Sequence, residues 1–178
     1  MRAGGQARGR AMKLVAIRQG RTDKYDELRC LRSDGSATGC AMPRQGILPH
    51  DLIHYVVESL LSWRQAFYGM VAAGADIGPT MAQSHDPANR ALLEQAVHAE
   101  AVVESLQAQL WSAGADPDAF DDAMFLEGVR GACEARGRSV PELPAGAGRR
   151  LFDAVLALNA RWQALPWYGA LELELPEA

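Results

Sequence analysis

The sequence predicts a single α+β domain, in which a small, mainly antiparallel sheet packs against about four helices. Three observations carry this. Short β-branched or alternating runs lie near the two ends of the chain, an Asp34-Gly35 turn separates two of them, and long stretches of helical periodicity fill the middle. Strands segregated from helices in this way mark α+β organisation rather than an alternating α/β one. A chain of 178 residues suffices for one buried core and is short for two.

The elements follow in order. Residues 1–11 are biased to Gly, Ala and Arg and offer nothing to bury, so they read as a flexible tail and residues 12–178 as the domain. Residues 13–18 form a β-branched first strand, closed by the turn chemistry of Gln19-Gly20-Arg21-Thr22-Asp23. Residues 26–32 and 37–42 flank Ser33-Asp34-Gly35-Ser36, where Asp-Gly supplies the positive φ angles of a tight hairpin. With a three-residue loop centred on Gly35, Cys30 and Cys40 would face each other on one face of the ribbon, and with a two-residue loop they would lie on opposite faces.

Residues 50–73 read as one long central helix, because Ile53, Val56, Val57, Leu60, Phe67, Met70 and Val71 keep helical spacing and Leu52, Leu61, Trp63 and Tyr68 widen the stripe. Gly74 and Pro79 read as its stop, and residues 80–86 as loop. A second long helix, 87–113, opens with Asp86 as N-cap and Pro87 at the first position. A third covers 116–136, a Pro- and Gly-bearing loop covers 137–148, and a fourth helix runs over 149–165 to Pro166. The end of the chain, Leu171-Glu-Leu-Glu-Leu175, alternates with period two and reads as a strand. Its leucine row needs a sheet partner, which the first three strands supply.

Composition excludes several classes. Apolar residues at 48% and charged residues at 22% are ordinary for a soluble domain, and the longest apolar runs are broken by Glu58, Ser59, Ser62 and Arg64, which excludes a membrane span. The basic N-terminus lacks the apolar core of a secretory signal, so a cytoplasmic location is expected. Arg2, Arg8 and Arg10 lie in the tail, and setting them aside leaves a body more acidic than the whole-chain −4, which argues against a nucleic-acid partner. Cys30, Cys40 and Cys133 are too few and scattered for a disulfide scaffold or a CxxC zinc site, and read as packed thiols.

Chemistry concentrates in Pro49-His50-Asp51-Leu52-Ile53-His54, with Glu58 four residues on. Helical geometry sets His50, His54 and Glu58 along one side of the first long helix, at the rim of its apolar stripe. One helix face normally supplies two metal ligands, so others must come from elsewhere, and Glu94, His98, Glu100 and Glu104 on the second long helix are the candidates. If the two helices are antiparallel neighbours, His54 approaches the later part of the second, around Glu104. A His and carboxylate set without cysteine would suit a divalent metal with an open position for water.

The pairs His50-Asp51 and His85-Asp86 are similar in type to those of the HD-domain phosphohydrolases, which combine an early histidine with a later His-Asp pair. That resemblance would match His54 with His85-Asp86. The polar run 82–90 departs from the family's apolar helix end, so no residue is carried across.

Two functions are therefore expected to compete. One is a small cytoplasmic binding or regulatory protein, a homodimer acting through protein contacts at the stretch from Trp162 to Tyr168 and a sheet edge. The alternative is a metal-dependent hydrolase, with His50, His54, Glu58, His98 and Glu104 as candidate ligands of a divalent metal and Asp51 or Glu58 as candidate base. Packing of both histidines against the core, with no metal, is the reading the hydrolase must beat. A broad apolar stripe would also permit an apolar-ligand carrier.

Overall fold

A computed structural model describes residues 11–85, 93–113 and 116–175, apart from the side chains of His85 and Ala113. The predicted tail and the Asp86-Pro87 helix start fall outside these residues, Ala11 excepted.

Four strands, β1 (Met12–Ile17), β2 (Tyr25–Arg32), β3 (Ala37–Pro43) and β4 (Ala170–Leu175), form one sheet in the order β3-β2-β1-β4, antiparallel throughout. The C-terminal strand does pair with the N-terminal ribbon: Leu14 stands opposite both Cys30 and Leu173. Period-two alternation then puts Leu14, Ala16, Leu28, Met42, Leu171 and Leu173 on the buried face. The other face carries charge, with Lys13 and Glu172 paired at 2.6 Å across β1 and β4. Burying each leucine of β4 is worth about 2 kcal/mol, which holds the last strand to the sheet.

The hairpin loop is centred one residue earlier than expected. Arg32 donates its N–H to Ser36 O at 2.9 Å, so the loop is Ser33-Asp34-Gly35, with Gly35 at φ 84°. Cys30 therefore faces Thr38 and Cys40 faces Leu28, which leaves the two thiols on one face, offset by a pair. Both are free, and burial pushes each up to about 12, away from thiolate chemistry.

Six α-helices are present among the described residues: α1 (His50–Leu60), α2 (Phe67–Ala72), α3 (Ile77–His85), α4 (Glu94–Ala113), α5 (Asp122–Ala135) and α6 (Ala147–Gln163). The single helix expected over 50–73 is two. Ser62 takes φ 54°, Trp63 N–H donates to Glu58 O at 3.0 Å and Ser62 N–H to Ser59 O at 3.4 Å, the double closure that terminates a helix on a left-handed residue. The expected loop 80–86 is mostly the helix α3. Pro79 sits in its first turn, where a missing N–H leaves no bond unmade, and Asp76 O accepts from both Thr80 N and Oγ1. Two aspartates divide the third predicted helix: Asp116 caps the short turn Pro117–Ala119, and Asp121 caps α5 through Met124 N.

Helix α1 lies at the centre, touching α2, α4, α6 and β3. Its Leu52, Ile53, Val56 and Val57 join Phe152, Val155 and Trp162 of α6 and the inner sheet face in one core. Contacts from His50 to Gln107, His54 to Glu100 and Trp63 to His98 show that α4 crosses α1 antiparallel. No helix among the described residues is long and apolar enough to cross a membrane.

Candidate metal centre

The centre forms where α4 crosses the first two turns of α1. Pro49 fixes the helix start, with its carbonyl accepting from Leu52 and Ile53, so His50 and His54 project from one side a turn apart. Antiparallel α4 sets Glu100 between them. Its Oε2 lies 2.9 Å from His54 Nε2 and its Oε1 3.4 Å from His50 Nε2. One ligand atom from each of His50, His54 and Glu100 can be chosen so that all three lie within 4.8 Å of one another, and this group can hold a metal ion.

Each imidazole is also held from behind. His54 Nδ1 meets Glu58 Oε1 at 3.2 Å, and the other oxygen of Glu58 accepts the N–H of Tyr68 at 2.8 Å, at the start of α2. His50 Nδ1 lies 2.9 Å from Gln107 Oε1. The direction of that bond follows from a chain of amides. Gln45 Nε2 donates to Leu48 O at 2.9 Å, and a carbonyl can only accept. Gln45 Oε1 therefore accepts from Gln107 Nε2 at 3.0 Å, Gln107 Oε1 faces His50, and His50 Nδ1 carries the proton. The preceding residue, Arg44, grips buried Asp26 at 2.7 Å. Both histidines thus direct Nε2 at Glu100 while Nδ1 is engaged by an oxygen, the orientation found around metal-ligating imidazoles.

Charge is concentrated here in a buried setting. Burial pulls the His54 imidazole down, but the hydrogen bonds and charges of Glu100 and Glu58 outweigh it and raise it to about 10. Burial pushes Glu100 up, yet the bonds from His50 and His54 hold its carboxyl well below the usual carboxylate range. Burial raises Glu58, opposed by His54 and by the backbone N–H groups of Tyr68 and Gly69. An imidazolium at His54 donates Nδ1–H to Glu58 and Nε2–H to Glu100; a divalent ion held by this group would take the place of the second proton and leave the first.

The other candidates fall elsewhere. Asp51 is buried in the first turn of α1, its Oδ1 4.0 Å from the Cys40 thiol, and burial raises its carboxyl while His50 and His54 oppose. His98 is two residues from Glu100 and so faces another way: its Nε2 donates to Ser139 O at 2.9 Å, with Glu94 at 3.8 Å. Glu104 is one turn beyond Glu100 on the same side, but Arg136, the C-cap of α5, holds both its oxygens, at 2.5 and 3.1 Å. His54, expected at the rim, is fully buried, as is Glu58. The pair His85-Asp86 lies outside the described side chains.

Glu100 entered the sequence reading only as one of four acids and histidines on its helix, and Gln107 and Gln45 not at all. The available signal for Glu100 is its setting, Ala99-Glu100-Ala101-Val102-Val103, a lone charge in an apolar run. Nothing in the sequence marks the glutamines, because their role depends on where three segments meet.

Beside the cluster lies a cavity of about 620 Å³, bounded by His50, Asp51 and Glu100 together with residues of β3, α3 and α4. Comparisons with protein-family models, with curated proteins and with solved structures find no match to this chain.

Proposed function

We propose that the protein is a metal-dependent hydrolase in which His50 Nε2, His54 Nε2 and a carboxylate oxygen of Glu100 bind a divalent ion. The observation that carries this is the convergence of both Nε2 atoms on one buried carboxylate while each Nδ1 is engaged from behind, by Glu58 and by Gln107. Core histidines need only satisfied nitrogens; they do not need a shared carboxylate opening onto a cavity. Two imidazoles and one carboxylate suit zinc or iron(II) and leave positions for water and substrate. Glu58 belongs to the support of His54 rather than to the ligands, which leaves Asp51, on the cavity wall, to accept the proton of the attacking water.

Elemental analysis of protein purified without affinity tag or chelator tests this. One equivalent of metal is expected in the parent protein and essentially none in His50→Ala, whose half-buried side chain can be removed with modest loss of stability. Metal-free parent protein that also fails to take up zinc would rule the centre out.

The second reading, a binding or regulatory homodimer, draws on Met124 and Leu126 of α5, which are 64% and 48% exposed. The stretch from Trp162 to Tyr168 supports it through Trp167, over which Arg18 stacks at 4.2 Å, and Tyr168, both exposed, while Trp162 is buried. Light scattering at high concentration separates the two forms, a strict monomer removing the dimer.

A further inference from the structure

We infer that this centre acts on uncharged acyl compounds, esters or amides with an apolar body lying along α4, and not on phosphoesters; the inference rests on the hydrolase reading and goes beyond it to the substrate.

Glu100, Glu104, Gln107 and Trp111 succeed one another at steps of four, three and four residues, so they form one stripe down α4, and all four border the cavity. The stripe is about 16 Å long at 1.5 Å per residue. Its ends differ in chemistry. At one end Glu100 and His50 hold the reactive position. At the other, Trp111 is 57% exposed but does not swing freely, because its Nε1–H donates to Gln45 O at 3.2 Å, which fixes the ring as a wall. Met81 and Ala82 of α3 and Pro43 of β3 complete an apolar enclosure between these ends. In the middle, Glu104 is answered by Arg136 and Gln107 by His50 and Gln45, so neither asks for a charged group on the substrate. A molecule with one polar, cleavable head and an apolar remainder matches this gradient.

The charge balance points away from phosphate. Asp51, Glu100 and Glu104 border the cavity, and among the described residues that line it there is no lysine or arginine. The N-terminus of α1, which would otherwise attract an anion, already has Asp51 in its first turn. A phosphomonoester dianion would lie beside Asp51 with no lysine or arginine on the cavity wall to bind it, and Glu104, held by Arg136, adds no net charge of either sign.

The step balances without a redox partner. Water loses a proton to Asp51 as its oxygen attacks the acyl carbon; the bond from that carbon to the ester oxygen or amide nitrogen breaks, and the leaving atom takes the proton. The products are a carboxylic acid and an alcohol or amine, and Asp51 is restored.

Calorimetric titration of the zinc-loaded full chain tests this with three probes: ω-phenylhexanohydroxamic acid, whose ring lies far enough from its zinc-binding head to reach Trp111, acetohydroxamic acid and ω-phenylhexyl phosphate. The phenyl hydroxamate is expected to bind at least about ten-fold more tightly than acetohydroxamic acid, from burial of its chain and ring along the apolar wall, and more tightly than the phosphate, from the carboxylates beside the centre. Trp111→Ala should abolish most of the preference for the phenyl over the methyl hydroxamate and leave zinc affinity unchanged. Equal or tighter binding of the phosphate, a phenyl preference that survives Trp111→Ala, or no hydroxamate binding at all would each overturn the inference while the metal centre stands. Failure to take up zinc is seen before any probe is added, and removes the hydrolase reading itself.

Discussion

Glu58 has two tasks set by its two oxygens: one accepts from His54 Nδ1 and the other from Tyr68 N–H. Glu58→Gln keeps the shape but replaces a carboxylate by a neutral amide, which makes a weaker acceptor for the His54 proton and a less basic Nε2. Zinc affinity should fall by about ten- to a hundred-fold, as outer-shell losses of this kind do. A competition titration against a chromophoric chelator measures it, and an unchanged affinity would show that His54 is not a ligand. At this scale the sequence was half legible. His50 and His54 are visible from their four-residue step, which depends on one helix alone. Glu100 could not be chosen over His98 or Glu104, because the choice depends on the rotation of α4 and on Arg136 arriving from α5 to occupy Glu104.

The break between α1 and α2 is the element on which the centre depends. It places the first N–H groups of α2 against Glu58 and closes with Arg64 Nη1 donating to Glu58 O at 3.0 Å. Its pivot, Ser62, is exposed and left-handed, a conformation that costs a non-glycine residue about 1 kcal/mol. Ser62→Gly should therefore raise stability by a few tenths to about 1 kcal/mol in denaturant unfolding, with zinc affinity unchanged. Gly69→Ala should do the reverse, costing more than about 2 kcal/mol, because a Cβ there would lie 1.9 Å from Arg64 O. The sequence hid this break: helix stops are recognised by glycine, and here serine adopts the glycine conformation while apolar periodicity continues from Leu60 to Phe67. The C-terminal strand was plain for the opposite reason. Leu171, Leu173 and Leu175 share a face only in an extended chain, so the pattern admits one conformation.

At the scale of the whole molecule, the sheet and α6 hold α1 from one side and α4 crosses it on another, so the candidate ligands are fixed by the same packing that makes the core. The proposed metal binding would then be linked to folding, and the linkage has a sign. In the metal-free protein His54 is raised to about 10 from an ordinary value near 6.5, so its contribution is fully present below about pH 6.5 and is lost as pH rises through about 10. In a zinc form of the proposed centre the ion would replace the Nε2 proton, and that alkaline loss would not occur. The rise in melting temperature on adding zinc should therefore widen between about pH 6 and pH 9. A rise that narrows over this range would mean that zinc binds elsewhere. The α+β class was legible at this scale because strands and helices are segregated along the chain. The cavity was not, since it lies where β3, α3 and α4, far apart in sequence, come together beside α1.

The most direct test of the centre is an anomalous difference map, recorded at the zinc absorption edge, from crystals of the zinc-loaded protein. The expected result is one strong peak about 2.0–2.2 Å from His50 Nε2, His54 Nε2 and an oxygen of Glu100. A map with no peak there, or with zinc held instead between His98 and Glu94, would contradict it.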